Sequence, residues 1–402
     1  MGEVAKRAPF LGVLFSPVRT SVSDFRYRRK VQLSNAIDIK WMKVANELAA
    51  NIPQRPWPNP PVGAVVVRDG KVVGSGAHFG AGTSHAERKA LDQAGELAKG
   101  ATLYCTLEPC NHHGKTPPCS TRVIESEVDR VVIAMRDPNS RVSGGGVAAI
   151  REAGIEVEVG VNSACALNQV WPFVATDSFR KPYVLLKTAE SSDGFLAPGL
   201  AQRDKAYFLT GSETKQQVHK LRRWCDAVIV GKTTVEVDVP RLDGRHADDN
   251  CPSIDPVPAY VDTNLSLNRH WRDDSRIVFC CDSEGEVPAG AKPIYCNSKN
   301  GQIDPASLLV QAAESNLNVL MIEGGPHLAE SFLKAGLIDR WIRITAPVEL
   351  GDGIGWPTEN IDSGLQLTTQ FPVGDDSWEV FDKLSFNSVL EEVTRGALCS
   401  QD

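Results

Sequence analysis

The chain contains no apolar run approaching the ~18 residues that a membrane-spanning helix needs, so no membrane partner is expected. It also lacks an excess of basic charge. Lys and Arg number 43 against 50 Asp and Glu, a formal net charge of −7. A general nucleic-acid scaffold carries a basic face, so no nucleic-acid partner is expected. One or two local arginines still suffice for a small phosphorylated ligand. The ten cysteines show no framework spacing, which points to reduced thiols and a cytoplasmic setting rather than a disulfide scaffold. No secretory signal and no internal repeat are evident. Residues 1–35 are rich in Arg, Lys and Ser and poor in acids, and read either as a disordered extension or as an organelle-targeting segment.

What the chain does have is ordinary globular material. Hydrophobic residues make up 42% and charged residues 23% of 402 positions, enough for two domains with their own cores. Ile37, Trp41, Val44, Ala45 and Leu48 recur on one face and predict a helix over 37–50. Five prolines between 53 and 61 then forbid regular structure. The run VGAVVVRDGKVVGSG predicts two strands joined by Asp69-Gly70, a strong hairpin signal. A helix over 85–94 and strands at 101–107, 130–135 and 155–160 complete an α/β series. The stretch 163–173 reads as a helical connector. A second α/β series follows, with strands at 181–194, 226–231, 258–263, 276–281, 318–325 and 340–346 and helices at 212–224 and 327–335. The polar stretch 244–256 reads as a loop and 390–402 as a loose tail.

Three features coincide within 35 residues. Ser84-His85-Ala86-Glu87 opens a helix, Glu108-Pro109-Cys110 ends a strand, and Cys119 follows after eight intervening residues. One imidazole and two thiolates make three ligands of a tetrahedral zinc site whose fourth position takes a water. Zinc acidifies that water. Glu87, two residues from the ligand His85, is badly placed to be a fourth ligand and suited to carry a proton from the water to a ring and its departing amine. A lone His-Ala-Glu is usually a solvated helix start, and two nearby cysteines are more often buried thiols. The conjunction, in this order and context, is that of a zinc-dependent deaminase acting on a pyrimidine-like ring.

NPPVGAVVV, SHAERKAL, TLEPCNHHGKTPPC and MRDPN resemble the deaminase domain of the bacterial riboflavin-biosynthesis family RibD. KTAESSDGFLA, DAVIVGKTTVEVDVPRL and MIEGGPHLAESFLKAGLID resemble the reductase domain of the same family. The resemblance implies a cytidine-deaminase-like three-layer N-terminal domain and a dihydrofolate-reductase-like C-terminal domain, both α/β. It divides the chain into an extension (1–35), a deaminase domain (36–161), a connector (162–180), a reductase domain (181–390) and a tail (391–402). It implies zinc and NADPH as cofactors, a pyrimidine ribosylamino 5′-phosphate as substrate, and a homo-oligomer. By motif matching, Asn59, His78, His112, Lys115, Asp137 and Asn139 would line the deaminase pocket.

In the second domain, MIEGG before a helix is by itself a weak phosphate-cradling signal, since two glycines permit close approach and a helix N-terminus offers unpaired N–H groups. The resemblance assigns the cofactor to Phe208, Thr234, Asp238, Thr263 and the run Gly325, Pro326, His327, Leu328, Ala329, Glu330 and Ser331. It assigns the substrate to Ala206, Arg222, Leu242, Arg245 and Glu323, with Lys187 a further pocket residue. Three positions depart from the family pattern. Phe208 stands for the usual Trp, Lys215 for a common Arg, and Glu190 for a small residue beside the expected nicotinamide pocket. A carboxylate there would repel cofactor phosphate. A bifunctional deaminase–reductase is therefore expected. The alternatives are a deaminase with a non-reducing second domain, for which Glu190 and Phe208 speak, and a non-catalytic zinc-stabilised binding protein, against which the intact Glu87 speaks.

Overall fold

The structure, a computed structural model, describes residues 36–394 apart from 53–55, 57–58, 113–116, 139–144, 180, 200–206, 246–254, 268–270, 272–275, 282–284, 357–363, 384–388 and 390–392. Lys115, Asn139 and Ala206 lie outside the described residues, as do residues 1–35 and most of the tail. The described chain divides near residue 179 into two compact units.

The first unit holds a five-stranded sheet ordered β2-β1-β3-β4-β5. Helix α1 (Ala36–Ala50) precedes the hairpin of β1 (Gly63–Arg68) and β2 (Lys71–Ala77). Asp69 and Gly70 both take positive φ (50° and 70°), the turn that matches the twist of a two-residue hairpin. Strand β3 (Thr102–Cys105) runs antiparallel to β1, while β4 (Arg130–Ile133) and β5 (Glu156–Val159) continue parallel to it. Helices α2 (Ala86–Ala94), α3 (Cys119–Glu125) and α4 (Gly145–Glu152) intervene. Helix α2 lies against β2 so closely that a Cβ on Gly74 would stand 2.0 Å from Ala90 O, and one on Gly76 2.3 Å from Ala86 O. Only glycine admits that approach, and the approach fixes the helix end that carries His85 and Glu87.

The stretch expected as a connector is the helix α5 (Ser163–Phe179), which groups with the first unit up to Ser178. Leu167, Val170, Trp171 and Val174 are buried, and Gln169 Nε2 donates to Asn46 O at 3.0 Å. An apolar face of this length packs as core rather than spanning solvent, Pro172 notwithstanding.

The second unit is built on a nine-stranded sheet: β6 (Tyr183–Ser191), β7 (Ala227–Gly231), β8 (Val257–Val261), β9 (Arg276–Cys280), β10 (Ala291–Tyr295), β13 (Val319–Glu323), β14 (Arg340–Ala346), β15 (Leu365–Val373) and β16 (Asp376–Lys383). The order is β10-β9-β8-β7-β13-β6-β14-β16-β15. All pairs are parallel except β14–β16 and β16–β15. The central parallel strands read as apolar runs because both faces are covered. Val184, Leu186, Ala227, Ile229, Leu320 and Ile322 form the core with Phe332 and Leu333 of the helix Pro326–Lys334. The intervening elements are α6 (Ser212–Arg223), α7 (Lys232–Asp238), the short pair β11 (Ser298–Lys299) and β12 (Gln302–Ile303), α8 (Pro305–Glu314) and α9 (Pro326–Lys334).

Candidate active sites

In the first unit His85 occupies the N-cap of α2, Cys110 follows the end of β3, and Cys119 is the first residue of α3. These elements bring His85 Nδ1 to 3.2 Å from Cys119 Sγ and 3.5 Å from Cys110 Sγ. All three ligand atoms lie within 4.8 Å of one another. With Zn–S of about 2.3 Å and Zn–N of about 2.0–2.1 Å, a tetrahedral ion requires N···S separations of about 3.6 Å, so the donor set fits zinc in both chemistry and spacing. Among the described residues no other group of three such ligands converges.

Glu87 is 4% exposed on the first turn of α2, and burial pushes its carboxyl up to about 7. The Cys119 thiol hydrogen-bonds to Cys110, which draws Cys110 down and pushes Cys119 up, so one thiolate is favoured in the pair. His78 is buried, and burial lowers its pKa, favouring neutral imidazole. Its ring meets that of His85 edge-on at 5.1 Å. Asn59 Nδ2 donates to His78 Nε2 at 2.9 Å, which leaves the His78 Nδ1 proton for Ser84 O at 3.4 Å. His78 thus stands beside the ligand His85, with Asn59 on its Nε2. Asp137 is half-buried, with its N–H on Glu108 Oε2 at 3.3 Å. His112, two residues past Cys110, is exposed.

The second unit carries a cavity of about 870 Å³ at the carboxyl ends of β6, β7 and β13. Open parallel sheets bind ligands at such strand ends. Lys187, Phe208, Arg222, Thr234, Asp238, Leu242, Arg245, Glu323 and the segment 325–328 line it. Thr263 does not, and Ala329 and Glu330 are buried. Ser331 turns its hydroxyl to Leu328 O at 2.7 Å. Residues Gly325–Leu328 are the part of the expected run that reaches the cavity. Gly324 takes φ 137°, and a Cβ there would stand 3.2 Å from Thr234 Oγ1, so this turn between β13 and α9 requires glycine. No side chain caps α9; Pro326 has no N–H to offer, so the N–H groups available to an anion at this end are those of His327 and Leu328.

The charges in the cavity are wired to one another. Arg222 grips Glu323 with two parallel bonds (Nε–Oε1 2.6 Å, Nη2–Oε2 2.9 Å), and its Nη1 donates to Asp243 O at 3.2 Å. Lys187 Nζ stands 3.4 Å from Glu323 Oε2. Burial opposes ionisation of Glu323, but Arg222 and Lys187 outweigh it and hold the carboxyl at about 2. Asp243 also pairs with Arg245 and with Arg241 (3.1 Å), and its carbonyl meets His219 Nδ1 at 2.6 Å. Sequence reasoning gave Asp243 and His219 no role. Their only signal is the run R-L-D-G-R, whose partners are set by folding. Glu190, expected beside the nicotinamide pocket, does not line the cavity. Its carboxylate receives the Thr345 hydroxyl at 3.4 Å and lies 3.7 Å from Arg343 Nε.

Two family descriptions match the two units. Residues 35–135 match the cytidine and deoxycytidylate deaminase zinc-binding region, and residues 182–373 the RibD C-terminal domain. Riboflavin biosynthesis protein RibD of Aquifex aeolicus is 39% identical over 330 residues, covering 79% of this chain and 89% of that one. The chain belongs to the RibD family. The RibD of Escherichia coli is 35% identical over 73% of this chain and 83% of its own. Solved structures agree over the same extent. RibD of Acinetobacter baumannii superposes with a TM-score of 0.71 at 32% identity, covering 86% of this chain and 98% of that one. The diaminohydroxyphosphoribosylaminopyrimidine deaminase/5-amino-6-(5-phosphoribosylamino)uracil reductase of Thermotoga maritima gives 0.75 at 32%, covering 86% and 99%. The first unit is accordingly a cytidine-deaminase-like zinc domain and the second a dihydrofolate-reductase-like domain. Like other RibD proteins, this chain is a bifunctional enzyme of riboflavin biosynthesis that uses zinc for deamination and NADPH for reduction. No described helix is long and apolar enough to cross a membrane.

Proposed function

We propose that the chain deaminates a diaminopyrimidinone ribosylamino 5′-phosphate in its first unit and reduces the ribosyl chain of the product to ribityl in its second. The observation that carries the reading is the convergence of His85, Cys110 and Cys119 beside the buried Glu87. His85 Nδ1 and the two thiolates hold the zinc, which when bound supplies the Lewis acidity that makes water a nucleophile near neutral pH. Glu87 would take one proton from the water as its oxygen adds to the amine-bearing ring carbon and pass it to the ring nitrogen; it would then carry the remaining hydroxyl proton to the amine, so that the C–N bond breaks, the carbonyl forms and ammonia leaves. Burial disfavours a lasting charge on Glu87, which suits a carboxyl that receives a proton and passes it on. Asn59, His78 and Asp137 offer donors and an acceptor to the polar ring, with His112, Lys115 and Asn139 as further pocket residues on the family pattern.

In the second unit, NADPH supplies the hydride. Gly325–Leu328, Thr234, Asp238 and Phe208 hold the cofactor in this reading, with the N–H groups of His327 and Leu328 on its phosphate. Lys187, Arg222 and Glu323 form a locked polar wall for the substrate. Both arginines are paired, Arg222 with Glu323 through two bonds and Arg245 with Asp243, but Arg245 is the more exposed (35% against 13%), so Arg245 receives the substrate phosphate in this reading and Arg222 holds Glu323 in place. A homo-oligomer in the cytoplasm accompanies this reading, and sedimentation and localisation of a tagged chain test those two points.

The deciding experiment supplies the zinc-loaded protein with the diaminopyrimidine ribosylamino phosphate, with and without NADPH. Ammonia is expected in both cases, and NADPH oxidation only after deamination. Protein carrying one zinc per chain that releases no ammonia would overturn the assignment.

A further inference from the structure

Glu108 is the residue of the zinc-binding motif to which neither the ligand set nor the proton path gives a task. It is 3% exposed. Its Oε1 accepts the backbone N–H groups of Gly146 (3.1 Å) and Val147 (3.0 Å), both in the first turn of α4. Its Oε2 accepts the N–H of Asp137 at 3.3 Å. Its own N–H donates to Met135 O at 3.0 Å, so the residue is tied twice to the segment leaving β4. From the other side α4 presses on the same peptide, for a Cβ on Gly146 would stand 1.8 Å from Pro109 O. The next residue, Cys110, is a zinc ligand whose carbonyl accepts from Ser120 N at 3.1 Å. The short run Glu108-Pro109-Cys110 is therefore gripped between a helix end, the Asp137 loop and α3.

We propose that Glu108 is a positioning residue that serves two ends of the deaminase site with its two oxygens: Oε1, through α4, fixes the Cys110 sulfur against zinc, and Oε2 fixes Asp137 against the substrate. The inference rests on the proposed roles of Cys110 and Asp137. A carboxylate is the side chain for this task. It has acceptor capacity for several N–H groups and no donor to clash with them, and N–H groups at a helix start have no intrahelical partner. Groups that orient a metal ligand from outside the coordination sphere typically govern metal affinity or activity by ~10–100-fold.

The two oxygens make the proposal separable. Glu108→Gln keeps the volume and one acceptor. That acceptor stays with the two α4 donors, and the new NH2 then faces the N–H of Asp137. In the full-length zinc enzyme, Glu108→Gln is expected to raise the deamination KM ~10-fold or more. The cobalt-substituted protein should keep its sulfur-to-cobalt absorption band, and chelator competition should show zinc affinity unchanged. Glu108→Ala releases both ends, so the cobalt band shifts and zinc affinity falls ~10–100-fold. Reduction of supplied deaminated intermediate, carried by the other unit, continues in both variants, and hydrogen exchange of β3 and β4 amides reports whether the deaminase unit itself has folded. If Glu108→Ala fails to fold, the isosteric Gln variant still decides. A Gln variant with wild-type KM, or one whose cobalt band shifts while KM stays, overturns the proposal. So does a folded Ala variant with unaltered cobalt spectrum and zinc affinity. Full zinc retention in Cys110→Ser would instead sink the assignment of the metal site, an outcome read independently of Glu108.

Discussion

Replacing Glu323 by Gln should loosen the reductase unit by a calculable amount. The carboxylate lies at the end of β13, 5% exposed, gripped by Arg222 and Lys187. Its pKa falls from the usual 4.5 to about 2. At ~1.36 kcal/mol per pH unit, that depression amounts to on the order of 3 kcal/mol at neutral pH. The figure agrees with the ~3–5 kcal/mol lost when one partner is removed from a buried ion pair. The sign follows from the depression. The contribution is complete above the unfolded-state pKa near 4.5 and is lost as pH falls through that value toward about 2. Glu323→Gln should therefore be less stable than the parent at pH 7 and show a flatter stability profile in that acid window.

Hydrogen exchange of amides in β6 and β13 isolates the unit concerned, with β3 and β4 of the other unit as internal control. At pH 7 the opening free energy of β13 should drop by about 3 kcal/mol, a ~100-fold faster exchange. In an Arg222→Met background the same Gln substitution should have a markedly smaller effect, because the two side chains share two hydrogen bonds. A loss below ~1 kcal/mol, or strict additivity of the two substitutions, would refute the reasoning and reduce the pair to a solvated contact.

Glu87→Gln should retain zinc and fold but lose ~10²–10⁴-fold or more in steady-state ammonia release, since the amide cannot carry the proton. Reduction of supplied deaminated intermediate should be unaffected, and near-parent ammonia turnover would remove Glu87 from the mechanism. Arg245→Ala should raise the KM for the deaminated substrate ~10- to 150-fold, the loss of a charge-assisted bond worth ~1.5–3 kcal/mol. NADPH affinity should hardly change. An unchanged substrate KM with weakened NADPH binding would place Arg245 on the cofactor side. Glu190→Ala should leave NADPH affinity and reduction rate near parent values, because the carboxylate faces Arg343 and Thr345; a marked gain in NADPH affinity would show that its charge does reach the cofactor.

Both sheets were legible where a strand or helix declares itself locally. The Asp69-Gly70 turn, the apolar runs of β7, β9 and β13, and the His-Ala-Glu and Pro-Cys elements carry their meaning within a few residues. Strands β15 and β10 did not. They occupy the sheet edges, are partly exposed, and contain Pro372 and Pro293, so they show neither a core run nor a clean alternation. Helix α8, absent from the expected elements, does start with a local signal, the Asp304 cap followed by Pro305 at the first helical position. The sites divide in the same way. Ligand identities were readable because metal chemistry demands particular side chains at particular spacings. The bonds between Arg222 and Glu323, or between Glu108 and Gly146, join positions far apart in the chain, and no local pattern announces them.

The two remaining departures from the family pattern bear on each other. Phe208 in place of Trp keeps a ring face at the cavity, 70% exposed, and gives up an N–H donor. Lys215 in place of Arg gives up a planar fork and keeps a cation. In the fold these two are neighbours, with Lys215 Nζ 4.8 Å from the centre of the Phe208 ring, within the range of cation–π attraction. The ammonium thus returns a donor to the side of the cavity from which the indole is missing, and the ring steadies a side chain that would otherwise be free to swing. Glu190, the third departure, is held by Arg343, which also grips Glu379 at 2.7 Å. Its charge is balanced outside the cavity lining. Of the three departures, Phe208 and Lys215 offset one another and Glu190 does not face the cavity, so the two that argued for a non-reducing second unit, Glu190 and Phe208, no longer make a physical case for a silent reductase.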